Sequence, residues 1–409
     1  MTATVTAPAL SATRTVLIGG MLTALASMSM ALYTPAMPTL VAAFGTTMAM
    51  VKTSLTAFFA GFALSQLVCG PVSDAFGRRF AALLFLALYT LGSVGALFAE
   101  TIETLIAARA LQGVGAAIGV GVSRAVVRDL FTGEEAAGIL ATIGIVLSIG
   151  PAISPTLGGF LLALFGWRAV FVVMALCGIT ALVVVFTALP ETNRDRDPAK
   201  ARPDRVIATY AMLTRDRRFL LPVLSIGFSV GAIFTLGTLL PFVLIERVGL
   251  TPATFGVGML AQTLSYLSGG VVARALIPRV GAERLILPGL ILGFLGACGT
   301  LLLGRVFAPS YPAVMIPVGA FAFSISLVIP GLTTRAMALH PRNAGSASSL
   351  LGFVQMGAGF LGGVAATVFA DPVVGLGVVF PTMLAVALGA RLVDRGFTLD
   401  TESKVPREA

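Results

Sequence analysis

The sequence predicts an all-α membrane protein of twelve transmembrane helices in two pseudo-symmetric six-helix bundles, and three observations carry that expectation. First, 57% of the 409 residues are hydrophobic and only 11% are charged, with a mean hydropathy of +0.98. A water-soluble chain carries about 25% charged residues, so the deficit calls for hydrocarbon as the solvent. Second, the few charges divide the chain into apolar stretches of the length a bilayer requires. Third, the basic residues fall almost entirely on one side of those stretches.

Taken in order, charge-free runs cover 17–44, 53–73, 80–99, 136–165, 169–190, 219–245, 248–273, 285–304, 306–334, 343–370 and 372–390, and one more run, 104–123, holds only Arg109. A helix of about 20 apolar residues crosses the hydrocarbon, and at this length only a helix satisfies its own backbone hydrogen bonds in lipid. The first run follows a single basic residue, Arg14, and is too long and too proline-interrupted for a cleavable signal segment. Orientation follows from Lys and Arg. Twenty-two of the 27 basic residues lie on the side of the N-terminus. The other side holds Lys52, Arg168, Arg247 and Arg305, and Arg109 stands alone within a span. Both termini are therefore expected in the cytoplasm, with the chain in the cytoplasmic (inner) membrane, and the net charge of +9 needs no nucleic-acid partner.

The longest polar stretch, 191–218, follows the sixth span and is rich in Arg, Asp and Pro. It reads as a cytoplasmic linker between an N-terminal bundle, 1–190, and a C-terminal bundle with its tail, 219–409. Weak internal similarity agrees: GVSRAVVRDLF at 121–131 closes span four and GLTTRAMAL at 331–339 closes span ten. Parallel six-helix repeats place a binding site near the bilayer midplane, between them.

Several chemistries are disfavoured. The single histidine, His340, sits in a polar loop, and Cys69, Cys177 and Cys298 are scattered through apolar runs without ligand spacing. No metal site, no cofactor and no enzymatic activity are expected. No G-x-x-x-x-G-K-[ST] occurs, which disfavours a nucleotide-driven pump. The expected partners are the lipid bilayer, a small-molecule substrate and, if transport is coupled, protons. The chain is expected to act as a monomer.

Three motifs narrow the reading. The loop after span two runs Gly70-Pro71-Val72-Ser73-Asp74-Ala75-Phe76-Gly77-Arg78-Arg79. Gly70 and Gly77 permit close packing and a tight turn, and an aspartate is stabilised beside a helix N-terminus. In span four, Arg109 is followed by Gln112 and Gly113. A charge near a helix centre costs about 2.5–3.5 kcal/mol on insertion scales, so it faces a cavity or partner, unless it reaches back to the outer surface. In span five, Gly150-Pro151 is followed by Pro155 and Gly158-Gly159; proline kinks a helix and small residues let helices approach.

The loop resembles the G-x-x-x-D-x-x-G-R-R/K signature of the major facilitator superfamily, span four its R-x-x-x-G element, and span five its antiporter motif. Two further stretches, Tyr33-Thr34-Pro35-Ala36-Met37-Pro38 and His340-Pro341-Arg342-Asn343-Ala344-Gly345-Ser346-Ala347-Ser348-Ser349 followed by Gln355, resemble the bicyclomycin/chloramphenicol drug exporters of that superfamily. The resemblance runs from about residue 15 to 390. It implies a drug or amphiphile exporter working by alternating access and proton antiport. It also implies that Asp74 holds the cytoplasmic side closed against the start of span eleven near Gly345 and Ser346, and against Arg124 or Arg128. In one respect the chain departs: Ala31 stands where that subfamily usually has an aspartate, and no acidic residue lies deep in any span. A metabolite exporter or facilitator without proton coupling is therefore the alternative. Tyr33, Gln112, Phe234, Gln262, Tyr266 and Gln355 are candidate substrate contacts, a set suited to an amphiphilic ligand. Arg109, with no carboxylate to pair with, points to neutral or anionic substrates rather than lipophilic cations.

Overall fold

The computed structural model describes residues 10–193, 196–303, 306–340 and 343–403. Of the residues named above, Arg305, Pro341, Arg342 and the side chain of Pro151 lie outside that description. Twelve helices follow the predicted runs. They are α1 (Ala12–Ala43), α2 (Met48–Phe76), α3 (Arg78–Leu97), α4 (Ile102–Leu130), α5 (Gly133–Phe165), α6 (Arg168–Ala188), α7 (Arg217–Arg247), α8 (Pro252–Val280), α9 (Ala282–Leu302), α10 (Tyr311–Ala338), α11 (Ala344–Thr367) and α12 (Pro372–Arg395). All but α5 are long and apolar enough to cross a membrane over their described residues, eleven in all. Helix α5 supplies the remaining crossing with 33 residues, its described apolar part being Ile153–Phe165.

Local chemistry explains the ends and breaks. Side-chain oxygens of Ser11, Thr47, Thr101 and Thr251 cap α1, α2, α4 and α8 by accepting a backbone N–H three residues on, satisfying one of the donors every helix start leaves open. Pro35 and Pro38 interrupt α1, which tightens into a 3-10 turn at Thr34–Ala36. Pro241 precedes a π turn, Phe242–Arg247, at the end of α7.

Within the first bundle the helices touch backbone to backbone through glycine. Gly61 of α2 faces the Ala110 carbonyl, Gly113 of α4 faces the Phe58 carbonyl, and Gly92 of α3 lies over Ala108 and Gln112. In lipid, where apolar surface drives no association, such close approach supplies the packing energy. Between the bundles, α2 lies along α11 and α5 meets the start of α8. This seam is where a midplane site belongs.

An even number of crossings puts the start of α1, the end of α12 and the segment between α6 and α7 on one face, the terminal face; the opposite one is the far face. The intervening segment forms a 3-10 turn, Pro198–Ala201, and a helix, Pro203–Arg215. It packs against α2 and α11. The Tyr210 hydroxyl donates to the Leu67 carbonyl at 3.0 Å, and burial pushes the phenol up to about 12, so it stays protonated and able to donate.

Candidate functional site

Inside the first bundle a polar cluster forms around Arg109, which is fully buried. Its guanidinium lies between the rings of Tyr33 and Phe58, 4.5 Å from each centroid. One nitrogen, Nη1, donates to Gln112 Oε1 and, at 3.5 Å, to the Ser29 carbonyl. Gln112 donates onward to Ser93 Oγ at 2.7 Å. Tyr33 and Ser54 share a hydrogen bond of 2.5 Å, and Ser29 and Tyr89 one of 2.6 Å. The arginine thus sits inside the bundle rather than reaching for either surface, and its Nε and Nη2 have no acceptor among the described residues. Of the predicted contacts, the structure brings Tyr33, Arg109 and Gln112 together. The sequence pointed to these three, but not to Ser29, Ser54, Tyr89 or Ser93, whose hydroxyls look like ordinary helix residues until the helices are assembled.

Phe234, by contrast, lies on the seam, its ring 5.5 Å from that of Phe59 across the two bundles. Gln262 and Gln355 are half-buried and make no side-chain hydrogen bond among the described residues. Tyr266 lines a cavity of about 430 Å³ between α8 and α10, with Gly270, Ala273, Arg274, Ile277, Pro278, Ser326, Ile329 and Pro330. That cavity lies in the terminal-face halves of both helices.

At the far end the seam is shut by contacts that need no ion pair. Thr156 of α5 donates to the Gly256 carbonyl of α8 at 2.9 Å. Gly159 faces the Pro252 carbonyl of α8, and its neighbour Gly158 faces the Leu32 carbonyl of α1. Gly150 lies beside Ser27, and Pro155 packs its carbonyl against Gly256. Thr56 of α2 seats against Gly363 of α11. One turn away, Lys52 Nζ donates to the Ala366 carbonyl at 3.1 Å and lies 5.4 Å from the centre of the Phe242 ring. Lys52 corrects the sequence reading, which left it among the loop charges. It is 1% exposed, inside α2, because the Thr47 cap starts the helix before it. That cap was the available signal.

At the terminal end Asp74 pairs with Arg78 and not with Arg124 or Arg128. Arg78 also binds Asp129 at 2.9 Å. Arg124 instead donates to Ser348 Oγ of α11 at 2.9 Å, and Gly70 lies beside Ser349, so the contact with span eleven falls there rather than at Gly345 and Ser346. Arg128 is exposed, and Arg79 reaches the Phe186 carbonyl at 2.5 Å. The sequence missed Glu191, whose carboxylate accepts the backbone N–H groups of Arg78 and Arg79 at 2.9 and 3.3 Å. It lies over Gly77, where φ is +107° and a Cβ would collide with it. Asn193 donates to the Asp74 carbonyl at 2.9 Å. In the second bundle Arg335 and Arg391 share Glu283 and Asp394. No cluster of residues able to hold a metal occurs among the described residues.

A sequence profile described as Major Facilitator Superfamily matches residues 19–363. Among curated proteins, an uncharacterized MFS-type transporter of Bacillus subtilis, YdgK, is 29% identical over 339 residues, covering 82% of this chain and 84% of its own. A bicyclomycin resistance protein homolog of Haemophilus influenzae is 27% identical over 313 residues, covering 76% and 78%. Among solved structures, the E. coli xylose transporter XylE in a partially occluded, inward-open conformation superposes with a TM-score of 0.70 at 14% identity, over 94% of this chain and 97% of that one.

Proposed function

This chain belongs to the major facilitator superfamily, and from that premise we propose that it exports a drug-like or amphiphilic molecule by alternating access, driven by proton antiport. The observation that carries the proposal is the seam itself, where α2 and α5 of one bundle meet α11 and α8 of the other through separable contacts. The far end is closed across the bundles by Thr156–Gly256, Gly159–Pro252 and Lys52–Ala366, the terminal end is crossed by Arg124–Ser348, and a cavity lies between α8 and α10 in the terminal-face half of the second bundle. A transporter must exchange such a state for its converse, and a ligand shifts that exchange only through different affinities for the two. Relatives whose names record drug resistance support the cargo class.

In this reading the bundles are 1–190 and 219–409, joined by the cytoplasmic linker 191–218, and the protein works as a monomer in the inner membrane with both termini inside. The basic-residue asymmetry supports that orientation. Asp74, Arg78, Arg79 and Arg124 with Gly70 and Gly77 regulate the cytoplasmic end, Gly150, Pro155, Gly158 and Gly159 the outer one. Phe234, Gln262, Tyr266 and Gln355 face cargo, and Arg109 supplies a fixed positive charge within its polar cluster.

Purified protein in proteoliposomes, given an imposed pH gradient, tests this. Substrate movement against its gradient, abolished by collapsing the pH difference, is the expected result. Movement indifferent to the gradient would leave the alternative, a facilitator or metabolite exporter without proton coupling. Two observations favour that alternative: Ala31 is buried in the apolar core, and Arg109 forms no ion pair with a carboxylate among the described residues.

A further inference from the structure

The electrostatic expectation drawn from the sequence rested on Arg109. In the folded chain that residue is sealed between two aromatic rings, so it does not meet cargo in this conformation. The cavity between α8 and α10 carries a different cation. Arg274 lines it and is exposed. Unlike Arg78, Arg335 and Arg391, each tied to carboxylates, Arg274 takes part in no ion pair or side-chain hydrogen bond among the described residues. Its five N–H donors are arranged to receive a planar or tetrahedral anion.

Apart from Tyr266 and Ser326, the rest of the wall is apolar. Gly270, Ala273 and Ile277 lie on successive turns of α8, faced by Ile329 and Pro330 of α10. The hydroxyl of Ser326 is already engaged, donating to the Tyr266 carbonyl at 2.6 Å. A volume of about 430 Å³ falls in the range of small-molecule sites. An apolar trough with one free cation at its rim complements a molecule that has an apolar body and one negative charge.

We propose that this cavity binds an amphiphilic anion, Arg274 holding the charged group and the α8–α10 walls the apolar body. The proposal rests on the export reading only where it makes that anion cargo. The same chemistry describes a soluble organic anion and an anionic phospholipid, and basic pockets between helices suit lipid headgroups as well.

The test uses full-length protein in phosphatidylcholine nanodiscs with two fluorescent probes of one scaffold, 1-anilinonaphthalene-8-sulfonate and its uncharged counterpart N-phenyl-1-naphthylamine. The saturable binding of the sulfonate is expected to weaken about fivefold in Arg274→Gln, the effect of losing one exposed ion pair. It should persist in Arg274→Lys and in the neighbouring control Arg279→Gln. Binding of the uncharged probe should not respond to Arg274→Gln. An unchanged sulfonate affinity in Arg274→Gln, or an equal loss in Arg279→Gln, would overturn the site in favour of a diffuse basic surface. Adding phosphatidylglycerol to the nanodiscs identifies the source: displacement of the sulfonate assigns the site to lipid, and its absence to a soluble anion. Sulfonate that binds through Arg274 but is not moved by proteoliposomes would remove the reading of this anion as cargo and leave the binding site standing.

Discussion

At the scale of single residues, two buried cations do different work. Arg109 was legible in the sequence because it is the only charge in its run, but its partners were not: Tyr33, Phe58 and Ser29 come from helices far away in the chain. Its planar, weakly hydrated guanidinium lies over two aromatic rings at once, a role a compact ammonium does not fill equally. Arg109→Lys is therefore expected to cost about 1–4 kcal/mol, from two cation–π contacts of a desolvated guanidinium, and to lower the thermal midpoint in detergent. An unchanged midpoint would show that the stack contributes nothing. Lys52 bridges the bundles at the far face, with a backbone carbonyl and a ring as partners. Replacing a buried ion by an apolar group of similar shape is often neutral or stabilising. Lys52→Met should thus hold the far end shut more firmly and slow turnover. The measure is labelling of Thr56→Cys by a thiol reagent, expected to fall when the Met is present; faster labelling would mean that the lysine is the tie that matters.

At the scale of elements, every span could be located with its ends within seven residues, because hydrocarbon leaves little choice about where a charge-free run goes. The loops could not. Asp74 lies one turn from Arg78, and that local pair competes with the remote arginines that the motif alone suggested. Glu191 belongs to a different loop, and only the fold brings it over Gly77. Its carboxylate also accepts the Asn193 N–H at 2.9 Å, so Glu191→Ala leaves three donors without that acceptor. Loss of a helix cap costs about 1 kcal/mol, and the linker should detach from the start of α3, seen as faster proteolysis at 191–202 while transmembrane helicity is retained. On α5, a Cβ at Gly159 would lie 3.1 Å from Ala253 Cα and closer still to the Pro252 carbonyl, both parts of a backbone that does not swing aside. Gly159→Val should force α5 and α8 apart, with an overpacking cost of about 1–3 kcal/mol. Labelling of Thr156→Cys from the far face should then rise; unaltered labelling would show that the helices separate there without consequence.

For the whole molecule, topology and asymmetry follow from composition, whereas the conformation does not. Nothing in the chain says which end of the seam is shut, since both ends carry glycines and short polar side chains. Placement of the linker on the cytoplasmic side predicts that Arg205→Cys, on an exposed part of its helix, resists an impermeant thiol reagent in intact cells and reacts in inverted vesicles. Reaction in intact cells would reverse the topology.

The paired glycines on α5 have a kinetic consequence. Gly158 and Gly159 point toward different bundles, one to α1 and the other to α8. On the α8 side backbone rests on backbone, and on the α1 side the Leu32 carbonyl and the rigid Pro35 ring meet Gly158, so no side chain beside either glycine must change rotamer for the surfaces to slip. Such a joint behaves as a lubricated bearing, offering little friction to rocking. The barrier to parting the far end then resides in the few side chains that cross it, Thr156 at Gly256 and Lys52 at Ala366, and the speed of the cycle is adjustable at those side chains while the bearing itself stays the same.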